Sequence, residues 1–295
     1  MSDGTDQGPC RDTAGETAGD TAGDTAGDER TDFYETRRTA FGGTRERHVA
    51  AGEYDSVRPE WPPATLEWLL GSPPAGRRLR VLDIGAGTGK GTRTLAELGH
   101  AVVAVEPSAG MRARLQESLA ALPTRVAARV DVRAGEAERL PLADRSVDAV
   151  VALQAWHWFD QQAAERECAR VLRPGGELGL AWHHREESVP WARELSRVVR
   201  RSEREGEDLE SPVLSTAFDP PETTLLRFVL RQSVEDLVRH AGTWSFVAVS
   251  SDREQILQKV REVARAAAGP DGLVETPMTT SCYRARRRSD PAESG

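Results

Sequence analysis

A glycine-rich turn between an apolar segment and a helical segment constrains the fold of this chain more than any other feature of its sequence. Residues 79–84 are largely apolar, Gly85, Gly87 and Gly89 follow at alternate positions, and residues 90–98 have helical periodicity. Glycines at such a turn let the backbone approach a ligand and leave N–H groups free at the positive end of the helix. The turn therefore predicts a site for an anionic group, which is a carboxylate, a phosphate or a pyrophosphate.

The spacing of the glycines excludes two common nucleotide-binding motifs. A P-loop requires a glycine five residues before the glycine of its Gly-Lys pair, and Ile84 stands there instead. The dinucleotide fingerprint GxGxxG requires a glycine where Lys90 stands, so the turn has the form GxGxG. Glu106, about 20 residues after the first glycine, matches an acid that binds the ribose hydroxyls of a dinucleotide or a nucleoside cofactor.

The pattern around this turn predicts an α/β fold with a doubly wound, mostly parallel sheet. Near-continuous apolar strands separated by helices indicate a parallel sheet that is covered on both faces, and right-handed crossovers wind it in two directions. The predicted strands are residues 79–84, 101–106, 129–134, 147–153 and 177–182, and the predicted helices are residues 64–70, 90–98, 109–122 and 161–172. We expect this region to hold a cofactor.

The C-terminal part is less regular and has no second core of independent size. Its predicted helices are residues 191–204, 233–240 and 252–268, and its predicted strands are residues 225–231 and 279–285. We therefore predict a single domain over residues 41–288. It comprises a cofactor-binding core at 79–183, a variable substrate cap at 184–250, and a C-terminal helix and closing strand at 251–288.

The first 30 residues differ from the rest in composition. They contain a four-residue repeat of small and acidic residues. Over all 30 residues there are eight acids and two arginines. Such a segment buries too little apolar surface to offset its ordering entropy, so we predict a disordered acidic tail. Because the whole chain has a net charge of −8, the remainder is near neutral, which argues against binding nucleic acid through bulk charge.

Cysteine usage and hydropathy predict a cytoplasmic protein. The three cysteines include no CxxC pair and no Cys/His cluster, so neither a metal site nor a disulfide framework is expected. There is no apolar segment typical of a signal peptide, and the apolar runs are shorter than the roughly 20 residues of a membrane helix. We expect no membrane partner, and the sequence leaves the oligomeric state open.

Four motifs together give the chain a family resemblance. They occur in order at Val81–Lys90, Val105–Met111, Gly135–Leu142 and Val171–Gly176. The chain resembles the class I S-adenosylmethionine-dependent methyltransferases, specifically the type 11 domain and its trans-aconitate methyltransferase-like subgroup. The resemblance covers residues 50–185 well, and it implies a Rossmann-like sheet of seven strands with S-adenosyl-L-methionine as the cofactor.

The resemblance also implies roles for individual residues. The Gly85–Gly89 turn, including Ala86 and Gly87, would hold the methionyl end of the cofactor, with Asp83 near its ammonium group. Glu106, followed by Pro107, would bind the ribose hydroxyls. Around the adenine, Met111 would pack on one face, Glu136 would accept a hydrogen bond from the amino group, and the N–H of Ala137 would point at the ring. Met111 is also compatible with a place in the helix core, and Glu136 with a solvated loop.

Two further segments are candidates for the acceptor side of the site. Gln154 would line the cleft near the sulfonium, and the aromatic run after it contains Trp156, His157 and Trp158. His157 is a candidate general base or substrate-orienting group, although it can also pack the pocket without transferring a proton. Tyr54 and Arg58 are candidates for closing over the cofactor or for pairing with a substrate carboxylate.

Two other clusters are not expected to form sites. His183 and His184 are adjacent on a predicted strand, so their side chains face opposite sides of the sheet and cannot form a shared site. The family more often has Asn-Arg there, which puts any transferred role in doubt. The basic run at residues 284–288 is interpreted as a solvated chain end rather than a nucleic-acid patch.

The resulting functional hypothesis is methyl transfer to a small molecule, with O- or carboxyl-methylation favoured. A base is needed only for an acceptor that carries a proton at neutral pH. The first alternative is a non-catalytic S-adenosylmethionine-binding regulator. A nicotinamide-dependent oxidoreductase is a third interpretation, disfavoured by Lys90 in place of the third glycine.

Overall fold

The computed structural model describes residues 55, 57–74, 76–200, 212–244, 247–248 and 250–289. The predicted tail and Tyr54 lie outside the described residues. The helices are α1 (Pro63–Leu69), α2 (Lys90–Glu97), α3 (Ala109–Ala120), α4 (Thr124–Ala127), α5 (Gln161–Val171), α6 (Pro190–Arg200), α7 (Val234–Gly242) and α8 (Arg253–Ala267). The strands are β1 (Arg80–Ile84), β2 (Ala101–Val105), β3 (Val130–Arg133), β4 (Val147–Leu153), β5 (Leu172–Arg185), β6 (Glu222–Ser233) and β7 (Leu273–Arg286).

The seven strands form one sheet in the order β3-β2-β1-β4-β5-β7-β6. The first five strands are parallel, and β7 pairs antiparallel with both β5 and β6. The chain reverses direction in the sheet between β3, at one edge, and β4, beside β1, which puts the ends of β1 and β4 at a topological switch point. Ligands of such sheets bind at the carboxyl ends of the strands at this point. The prediction of a doubly wound, mostly parallel sheet is confirmed.

The sheet is covered on both faces, as its near-continuous apolar strands require. On one face, Leu66 and Leu69 of α1 and Leu95 of α2 pack against Val81 and Val151 of the sheet. The opposite face carries a second cluster with Leu82, Ile84, Val150, Trp156, Cys168 and Leu180. Helix α1 begins at Pro63, where the fixed proline φ suits the first helical position. This double packing fixes the strand ends on which the candidate site is built.

Three predicted strands were too short. Strand β5 already begins at Leu172, which pairs with Val147 before the register shifts and Glu177 pairs with Ala149. Residues 174–176, which lie between the predicted helix at 161–172 and the predicted strand at 177–182, are thus part of an irregular strand. Strands β6 and β7 extend beyond 225–231 and 279–285 because they pair with each other from Glu222 to Ser233. Turn signals in the sequence do not reveal pairing between distant segments.

The range predicted for the cap contains α6, β6 and α7 within its described residues. Here β6 is a strand of the main sheet, whereas α6 and α7 pack with α8 around a separate apolar cluster. That cluster includes Leu195, Leu237, Trp244, Val260 and Val274, and Val274 belongs to β7. The cluster therefore joins the cap helices to the sheet.

The interpretation of residues 284–288 as a solvated end was wrong for Arg284 and Arg287, whereas Arg286 and Arg288 are exposed. Arg284 lies with its guanidinium 4.7 Å from the centre of the Trp68 ring and donates to the carbonyl oxygen of Trp68 at 2.8 Å. Arg287 is only 9% exposed. These arginines are fixed by packing and hydrogen bonds because their segment is the end of β7 and the residues that follow it.

Among the described helices, none is long and apolar enough to cross a membrane.

Candidate active site

The glycine turn follows β1 at the switch point of the sheet. Gly85, Gly87 and Gly89 have φ values of +66°, +56° and +87°, which side chains rarely tolerate. A Cβ atom on Gly85 would lie 2.7 Å from the Cβ atom of Ala155. At Gly87, by contrast, no heavy atom of the described residues lies within 4 Å of such a Cβ. The turn therefore packs tightly at its start and leaves open space over its middle.

Asp83 lies beneath this turn and is almost completely buried. Its Oδ2 accepts a hydrogen bond from the Thr92 hydroxyl at 2.6 Å, whereas its Oδ1 has no hydrogen-bond partner among the described residues. Burial raises the pKa of the carboxyl to about 7, and the nearby Glu106 adds to the increase while Thr92 opposes it. A buried carboxylate oxygen without a partner is costly, so this atom fits a cationic ligand group such as an ammonium.

Glu106 fixes the geometry of the neighbouring loop. Its two carboxylate oxygens accept from the backbone N–H groups of Gly87 at 2.9 Å and Ser108 at 2.8 Å. The residue is buried, and burial raises the pKa of its carboxyl against the opposing effect of these two hydrogen bonds. Glu106 thereby joins the glycine turn after β1 to the start of α3.

The residues predicted around the adenine lie at the ends of β2 and β3. Met111 is half-buried in the first turn of α3, where its N–H donates to the Ser108 hydroxyl at 3.4 Å. Pro107 and Glu136 are exposed, and Ala137 is buried. All of these positions follow parallel strands at one edge of the sheet, and their roles toward an adenine stay predictions.

Gln154 connects the ends of β4 and β5. Its φ of +57° is unusual for a residue with a side chain, and its Nε2 donates to the carbonyl oxygen of His183 at 3.2 Å. A short 3₁₀ helix, Trp156–Trp158, follows. Trp156 is 2% exposed and packs in the core against Phe159, whereas His157 and Trp158 are half-buried. Trp156 is therefore part of the core, whereas His157 and Trp158 are partly exposed to solvent.

His157 has a specific hydrogen-bond partner on the adjacent strand. Its Nδ1 lies 3.1 Å from the indole Nε1 of Trp182, which donates to it. The His157 ring also lies 4.7 Å, centre to centre, from the ring of Trp158. Sequence reasoning named His157 but missed Trp182, which was predicted only as the last residue of the strand at 177–182.

Asp55 anchors the N-terminal segment, which we define as residue 55 with residues 57–62, to the glycine turn. It is buried and accepts from the Thr88 hydroxyl at 2.8 Å. Arg93 and Arg114 approach its carboxylate to 3.5 and 3.3 Å, and Lys90 approaches it to 3.8 Å. One carboxylate therefore fixes the segment to the turn and to both following helices. No sequence pattern marked Asp55 beyond its place beside Tyr54.

The same segment also contacts the C-terminal end of α7. Arg58 donates from Nε to the Thr243 hydroxyl at 3.0 Å and from Nη2 to the Thr243 carbonyl at 2.9 Å. Gln232 donates to the carbonyl oxygen of Val57 at 3.0 Å. The guanidinium predicted to meet a cofactor or a substrate thus engages the cap, and its predicted role stays a prediction.

His183 lies under the N-terminal segment. Its ring stacks on Trp61 at 3.9 Å, and its Nδ1 is 2.8 Å from the Thr280 hydroxyl. Burial lowers the pKa of His183 to about 3, with smaller contributions from His184 and Arg58, so the ring is neutral.

Among the described residues, no group of three or more His, Cys, Asp or Glu side chains could hold a metal ion.

Comparisons with known proteins agree with this arrangement. A family model described as a methyltransferase domain matches residues 82–180. The chain is 41% identical over 246 residues to an uncharacterized methyltransferase of Mycobacterium tuberculosis, which covers 80% of this chain and 93% of that one. A methyltransferase-like protein of Schizosaccharomyces pombe is 30% identical over 249 residues, covering 82% and 93% of the two chains.

A solved structure shares the fold as well. A proposed type II methyltransferase from Anaeromyxobacter dehalogenans superimposes with a TM-score of 0.58 at 27% identity, covering 78% of this chain and 97% of that one. This chain belongs to the class I S-adenosylmethionine-dependent methyltransferases. Its recognition from four sequence motifs is confirmed.

In this methyltransferase, three features fit the cofactor that the family uses. Within the described part of the chain, the Oδ1 of Asp83 has no partner and suits the ammonium of S-adenosylmethionine, and the space over Gly87 is open and allows a ligand to approach the backbone. Glu106 keeps acceptor capacity, because an ionised carboxylate accepts about four hydrogen bonds and it uses two with Gly87 and Ser108.

Proposed function

We propose that this methyltransferase binds S-adenosylmethionine across the carboxyl ends of β1 and β2 and the loop after β3, and transfers its methyl group to an oxygen atom of a small molecule. The observation that carries the cofactor half of this proposal is the buried Oδ1 of Asp83, which has no partner within the described part of the chain. A cationic amino group placed there would satisfy it.

Different residues of the site would hold different groups of the cofactor. Asp83 would bind the ammonium, and the positive N-terminal end of α2 would attract the carboxylate. Glu106 would accept from the ribose hydroxyls while keeping Gly87 and Ser108 in place. When bound, S-adenosylmethionine supplies a methyl carbon that is activated by the neighbouring positive sulfur.

The remaining task of the protein is to align the acceptor and exclude water. The N-terminal segment supports this role, because Asp55 fixes it to the glycine turn and Arg58 fixes it to the cap. A small acceptor would then lie near the ends of β4 and β5, where Gln154 and His157 lie. Methylation of oxygen, including a carboxylate oxygen, is the reaction we favour there.

Titration calorimetry tests the cofactor half. Wild-type protein should bind S-adenosylmethionine and S-adenosylhomocysteine more tightly than NADH, and Glu106→Gln and Asp83→Asn should weaken the first two. Glu97→Gln is the matched control, because Glu97 is an exposed carboxylate at the end of α2. Binding of NADH alone, or equal affinities in all four proteins, would contradict the proposal.

Transfer of a labelled methyl group to a metabolite extract tests the acceptor half. After incubation and removal of unreacted S-adenosylmethionine on a cation exchanger, label should pass an ultrafiltration membrane, since the proposed product is small. Mild alkaline hydrolysis then distinguishes the acceptor atom, because it releases label from a methyl ester and leaves a methyl ether intact. Label that stays with macromolecules, or on nitrogen or carbon, would refute the acceptor assignment.

A further inference from the structure

Strand β6 is the last strand of the sheet on the side away from β3. It is 12 residues long and pairs with β7 along its whole length, and within the described part of the chain no strand pairs with its other edge. A free edge presents a row of N–H and C=O groups that can pair with another strand, and native proteins usually keep such edges short, charged or covered. The outer edge of β6 is therefore a surface to which a further strand can be added.

Two apolar side chains are exposed on this strand. Burial alternates along β6, so that the odd-numbered positions from 223 to 231 are exposed and the even-numbered positions from 224 to 230 are half-buried. Leu225 and Val229, on the exposed face, are 58% and 56% exposed. Among the described residues only one other large hydrophobic side chain, Val213, is exposed. The exposed apolar surface is thus concentrated on the edge strand.

The arginines of the same face are held by groups on the inner side of the strand. Arg227 forms an ion pair with Glu186 at 2.7 Å, and Glu186 also accepts a hydrogen bond from Thr279, the residue of β7 that pairs with Arg227. Arg231 forms an ion pair at 3.2 Å with Glu275, its own partner on β7. Both guanidinium groups are therefore directed toward β7, and their charges do not protect the outer edge as edge charges usually do.

The sequence of β6 is self-complementary about Arg227. If two copies pair antiparallel around a two-fold axis at this residue, positions at equal distances before and after it lie opposite each other on one face. Leu225 then lies opposite Val229 of the second copy, and Leu226 lies opposite its Phe228. An axis one residue further along would place each exposed apolar side chain opposite an arginine. The pattern therefore favours a second copy as the partner and also selects the register.

We propose that the protein forms a two-fold symmetric dimer in which β6 pairs antiparallel with β6 of a second copy, so that the two sheets become one. Pairing over residues 223–231 would add about ten main-chain hydrogen bonds, which is the number in a typical specific interface. Arg227 meets its own copy at the axis, where each guanidinium keeps Glu186 as its counter-ion. Such a contact uses the same edge of both copies and closes at two.

This inference is independent of the cofactor and of the acceptor. In the sheet, β4, β5 and β7 lie between β1 and β6, so pairing at β6 leaves the glycine turn accessible. Dimerisation would also restrain the cap, because α7 follows β6 directly.

Sedimentation velocity of the whole chain over a concentration series tests the dimer. Wild type should be a reversible dimer with twice the mass of the chain. Val229→Lys should raise the dissociation constant about tenfold or more, because an ammonium group then lies opposite Leu225 of the second copy. Val213→Lys is the matched control, since it adds the same charge at an exposed apolar residue outside β6, and it should leave the constant unchanged. A monomer at every concentration, species that keep growing beyond two copies, or equal effects of the two substitutions would overturn the proposal.

A pair of variants with opposite charges tests the register. Leu225→Glu and Val229→Lys should each be mainly monomeric alone. When they are mixed in equal amounts they should form a dimer with one copy of each, because the new carboxylate lies opposite the new ammonium group. A variant that carries both substitutions should dimerise with itself through two such pairs. Failure of both the mixture and the double variant to associate would contradict the register and the proposal with it.

A cysteine at the axis gives a covalent readout. Arg227→Cys would be made together with Cys10→Ser, and the remaining cysteines, Cys168 and Cys282, are buried. Directly opposite residues of antiparallel strands have Cα atoms about 4.5–5.5 Å apart, within the range of a disulfide. Oxidation by diamide should therefore produce a covalent dimer. Thr223→Cys in the same background should not, because it lies four residues from the axis, and equal cross-linking of the two would refute the axis at Arg227.

Discussion

The glycine turn and the junction between the N-terminal segment and the cap satisfy their buried polar groups in different ways. At the turn, the partners are close in sequence: Asp83 accepts from Thr92, nine residues away, and Glu106 accepts from Ser108, two residues away. At the junction, the chain separation is 185 residues for Arg58 and Thr243. Glu106 also accepts from Gly87, 19 residues away, so the turn can form once β1, α2 and β2 have come together, whereas the junction requires the whole domain to be folded.

This difference bears on function. Groups that are fixed locally suit the constant task of holding the cofactor, because few other parts of the chain can disturb them. Contacts between distant segments suit the acceptor side, where small changes in the cap can alter the shape of the site without disturbing the turn.

Gly85→Ala should break the turn itself. The new Cβ atom would stand 2.7 Å from that of Ala155, at a backbone φ of +66°. Strain and overpacking together should lower the free energy of unfolding by about 2–4 kcal/mol, measured by urea denaturation. Gly99→Ala is the matched control, with a φ of +100° and no heavy atom of the described residues within 4 Å. Equal losses for the two variants would show that the contact with Ala155 does not matter.

Asp83→Asn should weaken cofactor binding and stabilise the protein measured without cofactor. Because the Asp83 pKa is raised to about 7 from an ordinary value of 3.8, the folded state holds a proton that the unfolded state releases. Stability from this group is therefore present at low pH and is lost as pH rises through about 7. The variant should gain stability over wild type at pH 8 and not at pH 4, by urea denaturation at each pH.

The affinity of Asp83→Asn for S-adenosylmethionine should fall about 10- to 100-fold, because a charge-assisted hydrogen bond to the ammonium is lost. Calorimetry at pH 8 gives this number. An unchanged affinity would place the ammonium elsewhere, and an unchanged pH dependence of stability would show that Asp83 is ionised in the folded protein at pH 4.

Asp55→Asn should loosen the N-terminal segment from the turn. The carboxylate is buried among Thr88, Lys90 and two arginines, so its loss should cost about 1–3 kcal/mol and accelerate release of S-adenosylhomocysteine about tenfold or more. Stopped-flow fluorescence measures the release rate. Glu117→Gln is the control, since its ion pair with Arg114 is 67% exposed on the Glu117 side and should contribute almost nothing.

Thr243→Val should give the smallest effect. It removes the hydroxyl that accepts from Arg58 at 3.0 Å and leaves the carbonyl contact in place. The expected loss is about 0.5–1.5 kcal/mol in the free energy of unfolding, with Thr243→Ser close to wild type. A double-mutant cycle with Arg58→Ala should give a coupling energy above about 0.5 kcal/mol. Additive losses would mean that the two side chains act independently.

Sequence reasoning anticipated the cofactor half in more detail than the cap half. The glycine turn, the strand ends and Glu106 were found because apolar periodicity and fixed spacing reflect local geometry. The length of β6 and β7 was underestimated, since pairing between segments separated by α7 and α8 leaves little local signal. The basic run at residues 284–288 was misinterpreted for the same reason. Arg284 contacts Trp68 and Glu222 only once these distant segments pack together in the folded domain.

By itself, the sequence determined the class of fold, the family and the position of the glycine turn, because each depends on residues close together in the chain. The tertiary structure alone decided that Asp83 keeps a buried oxygen without a partner in the described residues, that Asp55 meets Lys90 and that Trp182 donates to His157. These facts follow from packing between separate segments. Burial and hydrogen-bond partners are properties of the folded arrangement, and residue type alone does not specify them.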